Sequence, residues 1–545
     1  MFKIKKTILV TCAFPYANGP IHLGHLLEHV QADIFVRYHK MKNNKVYFFS
    51  AIDAHGTAIM LKANVLKISP EKLVEKTQKE HKKDFENFNI NYNYYGNTHS
   101  DDNQKISEKI FLKLKKNGYI KKKDIFQLYD PKKKIFLPDR FVKGICPKCK
   151  ASDQYGDVCE ICYSIYNAQE LINPYSIITG NTPKIKKTTH LFFNLPFFKD
   201  FLFNWMKSKD IIQKNVLNKV LEWFENGLEL WDITRDAPYF GFKIPNETNK
   251  YFYVWLDASI GYISISKILS KKYLNLNYKK FWNRESKIDL CHFIGKDIIY
   301  FHSLFWPAIL ESIHYRQPTK IFVHGNVIIN GYKMSKSRGT FITARSYINY
   351  LEPDYLRYYY ASKLSLDISD IDLNLRDFMQ RINSDLINKI LNFASRNAKI
   401  IDQYFHNKLS SKLEDPIFYQ KFVKKREKIE FFFENLEYSK VINEVILLIK
   451  NANYYFNLKA PWNLLKEKNH MHNICTTGIN LYRVIMTYLK PIIPNISKNA
   501  ENFLNISLKW DEINHPLLNH DILSFKILFT RIDYSSIESI LKKNK

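Results

Sequence analysis

The fold is decided by residues 8–38, which read ILVTCAFPYANGPIHLGHLLEHVQADIFVRY. The apolar run Ile8 to Val10 predicts a buried strand, and the turn formers at residues 15–20 predict a loop. Apolar residues then recur at helical spacing, at Leu26, Val30, Ile34 and Tyr38. The stretch therefore predicts strand, loop and helix, the first unit of an α/β domain.

Further segments extend this α/β pattern. Val46 to Phe49 is a short continuous apolar run, of the kind expected for a parallel strand covered on both faces. Much later, Leu290 to Ile294 and Ile321 to Val323 predict strands on either side of a helix over Ile299 to Ile313. The segment between the two α/β stretches holds clustered cysteines and many aromatic residues. We interpret it as an insertion that splits one nucleotide-binding sheet into halves.

The last third of the chain has a different pattern. After about residue 385 glycines become rare, and apolar residues recur three and four apart, as in Leu386, Ile390 and Phe393. This spacing predicts an all-helical C-terminal domain.

The composition excludes a disordered chain and a membrane-spanning one. Hydrophobic residues make up 46% and aromatic residues 15% of the 545 residues, which is too much apolar side chain for disorder. No apolar run approaches the ~18 residues needed to cross a bilayer, so no membrane partner is expected. The seven cysteines, four of them between Cys146 and Cys162, do not resemble a secreted disulfide framework. The sequence therefore predicts a reducing, cytoplasmic location.

The net charge of +29, from 82 Lys and Arg against 53 Asp and Glu, has two explanations. Such a surplus attracts phosphate-rich partners such as nucleic acids. A mutational bias toward AT-rich codons, which enriches Lys, Asn, Ile, Tyr and Phe, also produces it. Composition alone leaves both explanations open.

His22-Leu23-Gly24-His25 opens the first predicted helix and is a candidate phosphate site. The two imidazoles share a helix face, Gly24 allows a ligand to approach the backbone, and a helix N-terminus favours anions. Histidines that only cap and pack are one alternative. Another is a metalloprotease, because residues 25–29 (HLLEH) match the H-x-x-E-H pattern.

Residues 331–339, GYKMSKSRG, form the second candidate phosphate site. Glycines bracket a short basic segment, which predicts a loop able to place ammonium groups on phosphates. Alone, this segment could be a solvated loop. Its pairing with His22 and His25, in the other half of a split nucleotide-binding sheet, makes the phosphate interpretation far more specific.

Cys146, Cys149, Cys159 and Cys162 form two Cys-x-x-Cys pairs with nine residues between them. This spacing can surround one tetrahedral ion, and soft thiolates select zinc. Because four protein ligands leave no open position, the sequence predicts one structural Zn²⁺. A disulfide pairing is the alternative, disfavoured by the predicted reducing compartment.

The two phosphate motifs resemble the HIGH and KMSKS signatures of class I aminoacyl-tRNA synthetases. Residues 12–19 (CAFPYANG) and 253–258 (YVWLDA) are similar to those of bacterial methionyl-tRNA synthetases, and the resemblance covers essentially the whole chain. It implies a Rossmann-type parallel-sheet catalytic domain split by a zinc-bearing connective insertion, followed by an all-α anticodon-binding bundle. The implied domains are the catalytic halves 1–99 and 251–326, the insertion 100–250, the KMSKS loop and stem-contact fold 327–388, and the anticodon-binding domain 389–545.

The resemblance implies that the chain joins L-methionine and ATP into methionyl-adenylate, releasing pyrophosphate, and then transfers methionine to the 3′ end of tRNA(Met), including the initiator tRNA. Mg²⁺ is expected to accompany ATP. The implied catalytic residues are His22, His25, Lys333 and Lys336. The implied ATP contacts are Gly24, Ser335, Lys336 and Ser337.

The resemblance also implies a methionine pocket, in which Asp53 pairs with the substrate ammonium. Its implied members are Ala13, Phe14, Tyr16, Asp53, Trp255, Ala258, Ser259, Tyr262, Ile298 and His302. Phe14 and Ser259 stand where relatives commonly carry Leu and Pro, and Tyr163, beside the second cysteine pair, stands where they carry Gly.

Asn392, Arg396 and Trp462 are implied to contact the anticodon, since amide, guanidinium and indole groups read and stack splayed bases. A monomer is expected because no C-terminal dimerisation module follows residue 545. Leucyl, isoleucyl or valyl enzymes share both signatures but carry a larger editing insertion. A non-catalytic tRNA-binding protein is a further alternative, disfavoured by the intact signature residues.

Overall fold

The computed structural model describes residues 6–157, 159–162, 164, 166–208, 210–273, 277–334 and 340–543. Its parts are a central parallel sheet with helices, an inserted β-rich module and a set of C-terminal helices. Among the described residues, no helix is both long enough and apolar enough to span a bilayer.

The first half of the α/β unit alternates strands with helices. Its elements are β1 (Thr7–Cys12), α1 (Leu23–Met41), β2 (Lys45–Ile52), α2 (Thr57–Val65), α3 (Pro70–Asn87), β3 (Tyr94–Asn97) and α4 (Asp101–Lys116). After their first residues, β1 and β2 are buried throughout. Continuous burial agrees with the apolar runs from which these two strands were predicted.

The insertion is built mainly from short antiparallel strands. Its elements are β4 (Ile120–Asp130), β5 (Ile135–Phe136), β6 (Val142–Ile145), β7 (Gln154–Tyr155), β8 (Ile172–Ser176), β9 (Lys184–Phe193), α5 (Lys199–Ser208), α6 (Lys214–Glu225), β10 (Trp231–Asp232), β11 (Thr234–Asp236) and β12 (Lys250–Phe252). The long pair β4 and β9 lies in a sheet of order β10-β9-β4-β5, and the cysteine segment is attached to a smaller sheet of order β7-β6-β8.

The second half of the α/β unit follows the insertion. Its elements are α7 (Val254–Tyr273), α8 (Lys279–Trp282), β13 (Asp289–Gly295), α9 (Trp306–Ser312) and β14 (Lys320–His324). Both predicted strands are confirmed. The helix predicted over residues 299–313 is present from a π-helical turn, Phe301–Phe305, through α9.

One parallel sheet joins the two halves, with strand order β14-β13-β1-β2-β3. The central strand β1 places Leu9 opposite Tyr47 on one side and Leu290 on the other. The prediction of a single parallel sheet split by an insertion is therefore confirmed. Because the strands are parallel, their carboxyl ends meet at one edge, where such sheets bind ligands.

A small sheet of order β16-β15-β17 connects the α/β unit to the C-terminal helices. The elements of this region are β15 (Val327–Ile329), β16 (Tyr332–Lys333), α10 (Ala344–Ile348), α11 (Pro353–Lys363), β17 (Ile371–Leu373) and α12 (Leu375–Arg381). Helix α12 continues without a break through a π-helical stretch, Ile382–Leu391, into the next helix.

The rest of the described chain contains helices and no strand, which confirms the prediction of an all-helical C-terminal part. The helices are α13 (Asn392–Phe405), α14 (Pro416–Lys424), α15 (Arg426–Glu434), α16 (Tyr438–Lys459), α17 (Lys468–Leu489), α18 (Pro494–Leu504) and α19 (Tyr534–Lys543). Helix α17 lies at the centre of this bundle, and its residues from Asn473 onward are buried.

Helix α1 is held between the sheet and the C-terminal helices. The Tyr38 ring stacks on Phe433 with centroids 4.8 Å apart. Buried Arg357 forms an ion pair with Asp33 at 2.7 Å, and the Tyr360 hydroxyl donates a hydrogen bond to the Leu23 carbonyl at 2.8 Å. Removing one member of a buried ion pair is strongly destabilising, so these contacts hold α1 along its length against the C-terminal helices.

Candidate active site

His22 and His25 lie side by side at the start of α1. His22 caps the helix: its Nδ1 accepts a hydrogen bond from the Gly24 N–H at 3.1 Å. The His25 ring stacks on the His22 ring with centroids 3.7 Å apart and planes 24° apart. The pair thus stands at a helix N-terminus, whose partial positive charge favours anions, and its role as a phosphate site stays a prediction.

Both imidazoles are neutral near pH 7. Burial, with a smaller contribution from nearby His81, lowers the pKa of His22 to about 4. Burial, followed by the charges of His22, His29 and His81, holds the pKa of His25 well below its ordinary value. These side chains therefore offer neutral N–H donors to an anion and carry no positive charge of their own.

Gly24 lies in direct contact with the basic segment of the second motif. A Cβ added to Gly24 would stand 2.5 Å from Met334 Cε and 2.9 Å from His22 Cε1. Such distances are shorter than van der Waals contact allows, so the close approach of the two motifs depends on glycine here. The two motifs, some 310 residues apart in sequence, meet at this point.

The basic segment is anchored on both sides of residues 335–339. Before them, β16 pairs with β15 and ends at exposed Lys333. After them, the Leu23 N–H donates to the Ile342 carbonyl at 3.0 Å, and the Ala344 N–H donates to the Ile21 carbonyl at 2.9 Å. The predicted site residues Ser335, Lys336 and Ser337 lie outside the described residues, so their placement stays a prediction.

Asp53 follows β2 and is joined to the loop after β1. Its N–H donates to the Pro15 carbonyl and its carbonyl accepts the Ala17 N–H, both at 2.9 Å, beside Tyr16. Asp53 is only 9% exposed, and its Oδ1 has no hydrogen-bond partner among the described residues. Burial, followed by the charge of Asp257, raises the pKa of this carboxyl well above its ordinary value. A buried carboxyl with one unpaired oxygen is suited to a ligand cation.

Aromatic side chains from α7 pack against the segment after β13. Burial, and to a smaller extent nearby charges that include Asp53, raises the pKa of one of them, Tyr262. Trp255 stacks on Phe301 with centroids 4.0 Å apart and planes 6° apart. The Tyr262 hydroxyl is 2.9 Å from His302 Nε2, and His302 Nδ1 is 3.1 Å from the Ile298 carbonyl. Since that carbonyl only accepts, Nδ1 carries the proton of neutral His302 and Nε2 accepts from Tyr262.

The remaining predicted pocket residues lie on α7 and in the loop that follows β1. Phe14 packs on Tyr262 with ring centroids 4.6 Å apart, and Ser259 donates its hydroxyl to the Trp255 carbonyl at 2.8 Å. Ala258 is buried on α7, and the Ala13 N–H donates to Glu28 Oε1 at 2.7 Å. The two departures at residues 14 and 259 are thus accommodated by local packing.

Sequence reasoning missed a buried hydrogen-bonded chain next to Asp53. His55 Nδ1 is 2.6 Å from Asp257 Oδ2, and His55 Nε2 is 2.9 Å from His99 Nδ1. His55 and Asp257 are fully buried. Asp257 lies within residues 253–258 (YVWLDA), and His55 follows Asp53 by two residues. An ionisable residue in such an apolar stretch of sequence is the feature from which this buried chain could have been predicted.

The H-x-x-E-H interpretation as a protease zinc site is wrong for this structure. Glu28 and His29 converge with Cys12, with one potential ligand atom from each within 4.8 Å of the others, and all three are buried. His25 is not part of that group, because its ring stacks on His22 instead. The two histidines of the motif therefore do not face one ion together with an open substrate position.

The four predicted metal ligands converge in the insertion. Cys146 Sγ is 3.8 Å from Cys162 Sγ, and Cys149 Sγ is 3.5 Å from Cys159 Sγ. All four sulfurs lie within 4.8 Å of one another. Zn–S bonds of about 2.3 Å in tetrahedral geometry separate sulfurs by about 3.8 Å, so this cluster could hold a metal ion of that kind. Tyr163 lies outside the described residues.

Arg396 and Trp462 come together on the surface of the C-terminal bundle. The Arg396 guanidinium lies 5.1 Å from the Trp462 ring centroid, and it donates to Asn457 Oδ1 at 2.9 Å. Trp462 is 43% exposed. Exposed Asn392 begins the same helix as Arg396, one turn earlier. The arrangement places a partly exposed indole and a guanidinium side by side on the surface.

Two family models cover nearly the whole chain. The model described as "tRNA synthetases class I (M)" matches residues 8–398. The model described as "Anticodon binding domain of methionyl tRNA ligase" matches residues 411–533.

Solved structures of Mycobacterium tuberculosis methionyl-tRNA synthetase have a similar fold. The structure in complex with methionyl-adenylate is 21% identical, with a TM-score of 0.79 over 95% of this chain and 98% of that chain. The apo form is 19% identical, with a TM-score of 0.73 over 97% of this chain and 98% of that chain.

Proposed function

The chain belongs to the class I tRNA synthetases of the methionyl type, and we propose which of its residues carry out the methionine–tRNA ligase reaction. In that reaction the methionine carboxylate attacks the α-phosphorus of ATP and pyrophosphate leaves. A hydroxyl at the 3′ end of tRNA then attacks the methionyl carbonyl, and AMP leaves. The contact of Met334 with Gly24 is the observation that supports the assignments most strongly, because it brings both phosphate motifs to one place.

We assign ATP phosphate binding to His22, His25 and the backbone at Gly24. A carboxylate is already a nucleophile, so activation needs positioning and charge neutralisation more than proton transfer. Neutral imidazole N–H groups bind the phosphates, while Lys333 and Lys336 neutralise the departing pyrophosphate. Ser335 and Ser337 are assigned to ATP contacts. Mg²⁺ accompanies ATP and is held mainly by phosphate oxygens and water.

We assign methionine binding to Asp53 and the aromatic pocket around it. The unpaired Asp53 Oδ1 accepts the substrate ammonium, and Trp255, Tyr262 and Phe14 surround the thioether. Sulfur contacts with aromatic rings are mildly favourable. Tyr16, Ala13, Ala258, Ile298 and His302 complete the pocket.

The test of this function is ATP–pyrophosphate exchange with each amino acid in turn. Exchange is expected with methionine and not with leucine, isoleucine or valine. Exchange stimulated by one of those three would support the alternative enzymes, and exchange with no amino acid would support the non-catalytic alternative.

We propose that the four cysteines hold one structural Zn²⁺. Cys149→Ser is expected to lose the bound zinc and to open residues 142–176 to protease, because structural zinc contributes on the order of 10 kcal/mol to folding of such modules. Zinc content per chain and limited proteolysis measure this. Cys475→Ala, in the core of α17, is the control and should keep its zinc. A zinc-free but folded wild-type chain, or oxidised thiols under reducing conditions, would contradict the proposal.

We propose that Asn392, Arg396 and Trp462 contact the anticodon of tRNA(Met). Trp462→Ala is expected to raise the KM for tRNA roughly 5- to 150-fold, since stacking on an aromatic ring contributes about 1–3 kcal/mol per base. Methionine-dependent pyrophosphate exchange should be unchanged, because it needs no tRNA. Phe431→Ala, at a 59% exposed aromatic residue on α15, is the control. Equal loss of exchange and aminoacylation in Trp462→Ala would refute the assignment.

We keep the predicted division of the chain into 1–99, 100–250, 251–326, 327–388 and 389–545 as a proposal. The last boundary falls within the helical run from Leu375 to Phe405, so continuous helix rather than a loop joins these two parts. A monomeric state, a cytoplasmic location and use of both initiator and elongator tRNA(Met) stay predictions.

A further inference from the structure

His55 joins three segments at the carboxyl end of the parallel sheet. It lies in the loop after β2, two residues after Asp53. Its Nδ1 is 2.6 Å from Oδ2 of Asp257, which stands in the first turn of α7, and its Nε2 is 2.9 Å from Nδ1 of His99, in the loop after β3. We call Asp257, His55 and His99 together the His55 chain.

The two ends of the His55 chain give the direction of its hydrogen bonds. A carboxylate only accepts, so His55 Nδ1 carries a proton and donates to Asp257. Burial lowers the pKa of His99, and neutral His99 can donate from Nδ1 to His55 Nε2. Two exposed carboxylates, Glu71 and Asp101, also act on His99. The chain thus runs from half-buried His99 to a fully buried carboxylate.

Asp257 stands on the part of α7 that is proposed to line the methionine pocket. Trp255 precedes it by two residues and Ala258 follows it directly. Oδ1 of Asp257 has no hydrogen-bond partner among the described residues, so the bond from His55 to Oδ2 has no counterpart on the other oxygen. A shift of this turn of α7 would move the aromatic wall of the pocket relative to Asp53.

The backbone around the His55 chain is held by separate contacts. The Ala54 N–H donates to Thr98 Oγ1 at 2.9 Å. Asn103 Nδ2 donates to the carbonyl of Thr98 at 2.9 Å and to that of Asp257 at 3.1 Å. Because none of these bonds uses the imidazole of His55, variants of His55 are expected to fold.

Asp257 also acts on Asp53 through its charge. Burial, followed by the charge of Asp257, raises the pKa of Asp53, since two neighbouring carboxylates disfavour each other's ionisation. Arg235, whose guanidinium lies 3.9 Å from the Tyr253 ring centroid, stays positive at any pH of interest. Four tyrosine hydroxyls that face these carboxyls stay neutral, because burial raises the pKa of each: Tyr16, Tyr239, Tyr253 and Tyr262.

We propose that His55 is a positioning residue for methionine binding, which through its bond to Asp257 holds the first turn of α7 against the loop that carries Asp53. The proposal rests on the methionine–tRNA ligase function and on the assignment of Asp53 to the substrate ammonium. The bond keeps the aromatic wall at a fixed distance from Asp53. It also gives the Asp257 charge a partner other than the substrate. Supporting contacts of this kind fix the geometry of the groups that touch a ligand.

Two substitutions separate the two hydrogen bonds of His55. The side-chain amide of asparagine can replace the Nδ1 N–H that reaches Asp257, whereas the longer glutamine places its amide near the position of Nε2 and loses that bond. His55→Gln is expected to raise the KM for methionine about tenfold, as loss of one hydrogen bond to a charged group would, and His55→Asn less than about threefold. The KM for ATP should stay unchanged in both variants.

His472→Gln in the helical bundle is the matched control. The His472 ring stacks on Phe405 with centroids 3.8 Å apart, and its Nε2 is 2.7 Å from the Lys408 carbonyl. The control therefore loses a stacked, hydrogen-bonded histidine and should keep the wild-type KM for methionine. Methionine-dependent pyrophosphate exchange measures the KM, and calorimetric titration with methionine alone measures its Kd.

Asp257→Asn provides a readout that a merely structural role would not change. It keeps the shape of the side chain but removes a charge that raises the pKa of Asp53. Asp53 then stays ionised to a lower pH, so the rise of the KM for methionine on acidification should begin at lower pH than in the wild-type chain. An unshifted pH profile would contradict the proposal.

The two His55 variants provide the other decisive outcome. Equal KM values for methionine in His55→Gln and His55→Asn would overturn the proposal. If His55→Gln does not fold, the pH profile of Asp257→Asn decides the question. Absence of methionine-dependent exchange and of methionine binding in the wild-type chain would instead contradict the proposed function, so the two failures are distinguishable.

Discussion

Replacing His25 by alanine is expected to slow methionine-dependent ATP–pyrophosphate exchange by about 10²–10³-fold, or 3–4 kcal/mol of transition-state stabilisation. The His25 ring stacks on His22 at the N-terminus of α1, where the phosphates of ATP are proposed to bind. Alanine removes an N–H donor that is already oriented toward the phosphates. Such a donor stabilises the charge that develops on the leaving pyrophosphate without having to reorient during the reaction. The loss should appear in kcat, with a smaller change in the KM for methionine.

The chemical form of His25 provides a second comparison. Burial keeps the pKa of His25 well below the ordinary value. We therefore expect a neutral imidazole, acting as a hydrogen-bond donor, to bind the phosphates rather than an imidazolium cation. His25→Gln should therefore retain more exchange activity than His25→Ala. His39→Ala, at the other end of the same helix, is the matched control and should stay within about twofold of wild type. Near-normal exchange in a folded His25→Ala chain would remove His25 from the mechanism.

Replacing Asp53 by asparagine is expected to lower kcat/KM for methionine by about 30- to 5,000-fold, since truncating one partner of a buried charge pair costs about 2–5 kcal/mol. The substitution keeps the shape of the side chain, which is only 9% exposed. The KM for ATP should not change. Pyrophosphate exchange at varied methionine concentration measures both constants.

The substrate amine and pH separate a charge pair from a packing effect. A methionine analogue without the amino group should be used equally poorly by wild type and Asp53→Asn, because the pair is then absent from both. Burial raises the pKa of Asp53. Lowering the pH therefore protonates this carboxyl and should raise the KM for methionine in the wild-type chain. The Asn variant should lack that dependence. An undiminished preference for the amine in Asp53→Asn would exclude the pairing.

The chemistry-bearing motifs could be predicted because they are local. Two imidazoles three residues apart on one helix, a lysine segment between glycines, and two Cys-x-x-Cys pairs are defined by spacing along the chain. The apolar runs of β1 and β2 likewise predict buried parallel strands, since a strand covered on both faces needs apolar residues at every position. Exposed Trp462 and half-buried Arg396 were suggested by resemblance, and their stacking became visible only in the structure.

Local sequence patterns could not predict which residues distant in sequence become partners in the fold. Asp257 is an ordinary acidic residue in the sequence, and only packing of α7 against β2 buries it beside His55 and near Asp53. The H-x-x-E-H pattern is complete as a string of letters, yet helix packing turns Glu28 and His29 toward Cys12 and leaves His25 with His22.

Spacing along the chain was therefore sufficient to predict the individual strands and helices of the two α/β halves, the phosphate motifs and the two cysteine pairs, because each depends on residues that are neighbours in sequence. Tertiary packing alone decided that Met334 meets Gly24 and that one Asp53 oxygen has no partner among the described residues. The physical reason is that burial and charge pairing depend on strand register and helix contacts between segments far apart in the chain, which periodicity does not encode.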